Sequence, residues 1–192
     1  MLRRLAPIFA LALALTMLGA APASADTGGP SGQGVLRAGQ KITIPLQDGR
    51  TLTIETTASP VIGRGLARKM GDPSSWIETT AVVATSFGTT AATFTLHTDY
   101  FWDAGTLIQV SPRGTPRVYA PGYGFAYNNV GWFWLAYPSQ ARSWGQAEVD
   151  SWIWTPWGTT LFTQCFITLH HNVTGWGQAS GAYDRSCAGW GY

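Results

Sequence analysis

From Thr80 to the C-terminus, no stretch of this chain carries a sustained 3.6-residue apolar period with capping residues. It carries instead a series of short runs rich in β-branched and aromatic residues, separated by Gly, Pro, Asn and Ser. That pattern selects an all-β fold, an antiparallel sandwich or barrel in one domain, because each short strand buries a face and then turns back. Strand candidates are residues 81–87, 92–102, 106–110, 117–119, 125–137, 143–154, 160–170 and 181–187. Ser111-Pro112-Arg113-Gly114 reads as a turn between two of them. In 92–102, Phe94, Leu96 and Tyr100 fall on one side.

The sharpest local signal lies upstream. Ile42, Ile44 and Leu46 alternate with polar residues, Asp48-Gly49 follows, and Leu52 and Ile54 alternate again. This is a β-hairpin pattern, and its register can be chosen. A two-residue Asp-Gly loop would put the two apolar sets on opposite faces. A three-residue loop, Gln47-Asp48-Gly49 with Gly49 in the left-handed region, pairs Ile44 with Leu52 and Ile42 with Ile54. All five apolar residues then share one face, so the longer loop is expected. Residues 58–75, with Pro60, Gly63, Gly65, Gly71 and Pro73, read as an irregular connection holding one short helical turn at 66–70. Its Arg64, Arg68 and Lys69 read as a solvated loop.

Residues 1–25 read as a leader rather than as structure. Arg3 and Arg4 precede an apolar run over 6–18, and Ala23-Ser24-Ala25 supplies the small residues of a cleavage site. The run is too short to span a bilayer. Residues 26–38, opening with the sequence DTGGPSGQG, are expected to be a flexible mature N-terminus, and 39–192 the β domain. Removing Arg3 and Arg4 from the 12 basic residues leaves ten against ten acidic ones. The neutral balance gives no electrostatic footprint for nucleic acid. A charged content of only 11% also excludes a disordered polyelectrolyte or a coiled coil. Cys165 and Cys187 are the only cysteines. In an exported chain they are expected to form a disulfide. The expected location is secreted and extracellular.

Nine of the ten tryptophans and all seven tyrosines lie in residues 100–192, a stretch with only eight charged residues. Residues 118–141 carry no charge at all. Pro121, Gly122, Gly124, Asn128 and Asn129 rule out a spanning helix there. Trp132 and Trp134 share one strand face, with Phe133 and Leu135 on the other; Trp152 and Trp154 likewise oppose Ile153. Trp157, between Pro156 and Gly158, reads as an exposed loop ring. Core packing accounts for many such rings. An exposed set would form a platform, because indole stacks on sugar faces and its N–H holds a hydroxyl. Trp132, Trp134, Trp152, Trp154 and Trp157 are the candidate binding residues. Glycines beside Trp132, Trp144, Trp157, Trp176 and Trp190 would let a ligand or another strand come close.

Catalytic and metal-binding arrangements are sparse. His97 and Asp99 share a strand face, joined by Asp103 if the strand continues, but a polar solvent edge explains them as well. His170 and His171 are adjacent, point to opposite faces and read as strand-end residues. Glu148 and Asp150 share a face about 6.6 Å apart at Cα, which would suit a glycosidase pair or an ordinary polar face. No nucleophile elbow, phosphate loop or zinc motif is present. Neither a cofactor nor a metal is expected.

The leader ending in Ala-Ser-Ala, the threonine- and aromatic-rich strands, the segment 92–105 (ATFTLHTDYFWDAG) and the late cysteine pair together resemble small secreted all-β proteins of high-GC Gram-positive bacteria. The resemblance extends over residues 80–187. It implies an exported β domain and assigns no site residue. The expected function is therefore non-catalytic binding of extracellular polysaccharide or cell-surface glycan. A protein- or membrane-directed inhibitor or toxin-like role is the alternative, and a glycan hydrolase the third. Neither nucleic acid nor membrane is the expected partner.

Overall fold

The structure is a computed structural model describing residues 31–46, 49–59 and 75–189, without the side chains of residues 127, 153–155, 159–163, 188 and 189. Residues 1–25, read as a leader, residues 26–30, and the segment read as a helical turn at 66–70 with its basic cluster lie outside the described residues.

Ten antiparallel strands form two five-stranded sheets packed face to face. They are β1 (Ser31–Leu36), β2 (Lys41–Pro45), β3 (Thr51–Ala58), β4 (Ser75–Ala84), β5 (Thr90–Asp103), β6 (Thr106–Val118), β7 (Tyr123–Ala136), β8 (Gln140–Thr155), β9 (Gly158–Thr174) and β10 (Ala179–Gly189). One sheet is the meander β2-β3-β4-β5-β6. The other is the meander β7-β8-β9-β10 with β1 added beside β10. The chain thus changes sheet twice, after β1 and after β6. A sandwich, rather than a closed barrel, is the outcome.

The hairpin register is the one that gathers the apolar residues. Ile44 pairs with Leu52 and Ile42 with Ile54. Gly49 has a φ of 78°, the left-handed conformation the three-residue loop requires. Leu46 N–H donates to the Arg50 carbonyl at 2.8 Å, closing the loop.

Two segments differ from the sequence-based expectation. The lead-in expected to be flexible through residue 38 is a strand from Ser31, paired with β10 along its whole length. Gly34 lies opposite Tyr183, and a Cβ there would stand 2.6 Å from the Tyr183 ring. The glycine that looked like a linker residue makes room for a core tyrosine, and Leu36 is buried beside it. The second difference is at Ser111-Pro112-Arg113-Gly114, which is not a turn. β6 runs straight through it, with Pro112 opposite Thr98 and Pro116 opposite Phe94. Proline is tolerated because β6 is the edge of its sheet, where an N–H on the outer side has no ladder partner to lose.

Alternation along each strand sorts the core. In β5, Ala92, Phe94, Leu96, Thr98 and Tyr100 are buried, while Thr93, Thr95, His97 and Asp99 face outward. The core has two apolar clusters. The larger includes Leu52, Ile54, Phe94, Leu96, Ala147, Ile167, Leu169 and Tyr183. The smaller holds Ile77, Tyr100, Leu107, Val110, Ala141 and Val173. Cys165 and Cys187 are directly opposite each other in β9 and β10 and form the disulfide.

A polar layer separates the two clusters. His171 of β9 is fully buried; its Nδ1 lies 2.8 Å from Thr98 Oγ1 and its Nε2 lies 2.9 Å from Thr79 Oγ1. Thr98 Oγ1 also contacts Ser143 Oγ at 2.7 Å, and Thr79 Oγ1 contacts Thr56 Oγ1 at 2.8 Å. Five strands from both sheets contribute one polar side chain each. Hydrogen-bonding every member is what makes such a layer tolerable in an apolar interior.

Candidate functional site

The expected binding tryptophans do not form one platform. Trp132 and Trp134 pair with Ser143 and Ala141 near the start of β8. Trp152 and Trp154 lie near its other end, opposite Leu161 and Thr159 of β9. Nine residues separate Ser143 from Trp152, about 30 Å along a strand. The two pairs also serve different surfaces. Trp134 packs against the smaller core cluster, and its ring meets Trp132 edge-on at 5.3 Å and Tyr137 edge-on at 5.1 Å. Trp152 sits on the opposite, solvent-facing side of its sheet. Trp157 is 96% exposed at the β8–β9 turn. The side chain of Trp154 lies outside the described residues.

Glycine decides where the rings go, though not by sequence adjacency. A Cβ on Gly131 would stand 2.7 Å from the Trp144 ring, directly across the ladder. The Trp152 ring covers Gly124 from a diagonal position, since Gly124 lies opposite Asp150, and in the turns Trp176 covers Gly105 and Trp102 covers Gly177. These four glycines are sockets for tryptophans on neighbouring strands and turns, whereas Gly145 abuts Phe94 and Leu96 and Gly158 faces open space.

On the outer face of β8 the alternating residues Trp144, Gln146, Glu148, Asp150 and Trp152 form a row. Trp144 and Trp152 are half-buried, each covering a glycine of β7. Between them Gln164 of β9 donates a hydrogen bond from its side-chain amide to Glu148. Asp150 is only 6% exposed, and its Oδ1 has no hydrogen-bond partner among the described residues. Burial pushes its carboxyl above the ordinary aspartate range, and the Glu148 charge adds to that. Glu148 and Asp150 therefore sit side by side on one face of one strand. On the outer face this sheet also presents Phe166, Thr168, His170 and Asn172 from β9. His170 Nε2 is 2.8 Å from Asp184 Oδ2.

The other histidine cluster is on the opposite sheet. His97 Nδ1 lies 3.0 Å from Glu78 Oε2 and His97 Nε2 lies 3.1 Å from Asp99 Oδ1. Arg113 donates to the other oxygen of Asp99, and Trp76 stacks on the imidazole at 5.8 Å. Both ring nitrogens thus face carboxylates. Asp103 lies at the exposed end of β5. Among the described residues, no group of three or more His, Cys, Asp and Glu is placed to hold a metal ion. His171, which read as a strand-end residue, is inside the core in the middle of the polar layer. Its parity opposite His170 was visible; its depth depended on which strands cover β9.

Sequence reasoning missed Trp144 as a surface ring. The signal was available in the Gly131–Trp144 pairing but required the β7–β8 register. Comparison with known proteins finds no matching family model, no similar curated protein and no similar solved structure.

Proposed function

We propose that the protein binds extracellular polysaccharide or cell-surface glycan, without chemistry on it, through the outer face of the β1-β10-β9-β8-β7 sheet. The observation that carries this reading is the β8 row. Two indoles seated on glycines bracket Gln146, Glu148 and the Gln164 amide. Rings that stack on sugar faces, alternating with side chains that accept and donate hydrogen bonds, match the amphipathic surface of a saccharide. Eight residues from Trp144 to Trp152 give a row of about 26 Å, long enough for a chain ligand rather than a single ring. A leader-like N-terminus and the Cys165–Cys187 disulfide are consistent with work outside the cell.

The test is titration of the purified protein with a panel of cell-wall and plant polysaccharides, read by calorimetry and Trp fluorescence. Trp144→Ala and Trp152→Ala should each weaken the responding polysaccharide about tenfold or more, while Trp132→Ala should not. Absence of binding across the panel, or equal loss with all three variants, would overturn the reading.

One observation favours a second reading, a protein- or membrane-directed role. Phe87 is 93% exposed at the β4–β5 turn and Trp157 is 96% exposed at the β8–β9 turn. Both turns are at the same end of the sandwich, since Thr98 faces Ser143 while Phe94 faces Gly145 further along. Sedimentation with lipid vesicles, compared for the native protein and Trp157→Ala, tests its membrane-directed form; no vesicle binding would remove that form.

A further inference from the structure

A sandwich of two open sheets has four edge strands, and each is a template for unwanted pairing. Three of the four are guarded here. β1 has six residues and β2 has five, the latter bearing Lys41 and Pro45. β6 is long but carries Pro112, Arg113, Pro116 and Arg117. β7 is different. It has 14 residues, with no proline and no charge.

The direction of its free backbone groups follows from two contacts. Trp152 N–H donates to the Gly122 carbonyl at 2.7 Å, so the even-numbered residues of β8 are those bonded to β7. Through the β7–β8 register this assigns Tyr127, Asn129, Gly131 and Phe133 to β8. Asn128, Val130, Trp132 and Trp134 then turn their N–H and C=O groups outward. The second contact agrees, because Val130 N–H is taken by the Asn129 side chain at 2.9 Å rather than by β8. No described residue pairs with the backbone N–H of Trp132 or Trp134. The register shifts between Phe125 and Tyr127 and between Trp134 and Ala136 leave the stretch between them regular.

Apolar side chains line both faces of this edge. Trp132 is 40%, Phe133 47%, Leu135 45% and the following Tyr137 78% exposed. We infer that β7 is the pairing edge for a second copy of this chain, joined antiparallel about a two-fold axis into one continuous ten-stranded sheet. The identity of the partner follows from the chemistry of the edge. A strand and its two-fold copy are antiparallel by symmetry, so the pairing is self-complementary. A strand without charge meets no like charge in its own copy, whereas the β6 edge would set arginine against arginine. Residues 118–141 carry no charge, which extends that neutrality beyond the strand itself.

Sedimentation velocity on the native protein without any glycan tests the inference, which keeps it separate from the binding reading. A dimer in the micromolar range is expected. Phe133→Lys should weaken self-association at least about tenfold, by putting a charge into the uncharged edge of both copies. Phe166→Lys is the control: it is equally exposed, 46%, but lies on central β9 and should leave the dimer intact. Asn128→Pro removes an outward N–H at an edge position that the monomer tolerates, and should weaken the dimer as well. Far-UV circular dichroism checks each fold. Amide exchange should show Trp132 and Trp134 protected in the native dimer and open in Phe133→Lys. A monomer up to about 100 µM, or a dimer indifferent to both Phe133→Lys and Asn128→Pro, would overturn it.

Discussion

Acid should unfold this protein through one imidazole. His171 is fully buried, bonded to hydroxyls on both sides, with its pKa pushed down from 6.5 to about 3. Desolvation is the leading cause, and the charges of His97 and His170 add to it. A base whose folded pKa lies below its unfolded value binds its proton more readily in the unfolded chain. Its contribution to stability is complete above pH 6.5 and is lost as pH falls toward 3. The fall from 6.5 to about 3 corresponds to roughly 5 kcal/mol in all, of which about half is gone by pH 4.5. That is a large part of a typical total of about 5–15 kcal/mol. Asp150 acts in the opposite sense. Its raised pKa stabilises the protonated fold at low pH and is lost as pH rises, so the native profile alone mixes the two. The His171→Gln variant separates them. Urea unfolding of native and variant protein at pH 7.5 and 4.5 should show the variant less stable at pH 7.5, by about 1–3 kcal/mol for the disturbed layer. Its further loss on acidification should be about 2–3 kcal/mol smaller than the native protein's. Equal pH dependence in the two would refute the reasoning, because it would mean that His171 charges without cost or never reaches the core.

Three further outcomes follow from the packing. Replacing Cys165 and Cys187 by Ala opens a cross-link over a sequence separation of 22 and should cost about 3 kcal/mol in chemical denaturation. Gly131→Val puts a side chain where the Trp144 ring lies, and should destabilise by about 1–3 kcal/mol and alter the near-UV circular dichroism. Trp157→Phe should leave stability within about 0.5 kcal/mol yet remove much of the fluorescence that acrylamide quenches; an unchanged quenching curve would place Trp157 out of solvent.

The fold was legible where periodicity and turn chemistry agree. The Ile42–Ile54 hairpin could be registered residue by residue, because only one loop length puts every apolar residue on one face. The cysteine pair followed from its even count in a chain read as exported. Legibility failed where a residue's meaning depends on its place in a sheet. Gly34 reads as a linker until Tyr183 is placed opposite it. Pro112 reads as a turn residue until β6 is known to be an edge. Parity predicted that His170 and His171 face apart, yet parity cannot say which side is covered. That required knowing that β4 and β5 pack over β9.

The same distinction governs the tryptophans, on which the functional reading rests. Along the chain, Trp132, Trp144, Trp157 and Trp176 all have a glycine neighbour, and adjacency treats them alike. Adjacent residues in a strand point to opposite faces, so a neighbouring glycine makes no space for the ring beside it. Space comes from the residue across the ladder or from a touching turn. Gly131 seats Trp144, Gly124 seats Trp152, Gly105 seats Trp176 and Gly177 seats Trp102. A seated ring shows solvent only its remaining surface and holds a fixed orientation. That suits it to stacking, because no side-chain freedom is lost when a ligand binds. Trp157, 96% exposed at a turn, shows solvent nearly all of its ring. Exposure alone therefore ranks Trp157 first as a binding residue, whereas preorganisation ranks Trp144 and Trp152. The two orderings make opposite forecasts for one experiment. If Trp157→Phe weakens glycan binding more than Trp152→Ala does, the site is the turn and not the face of the sheet.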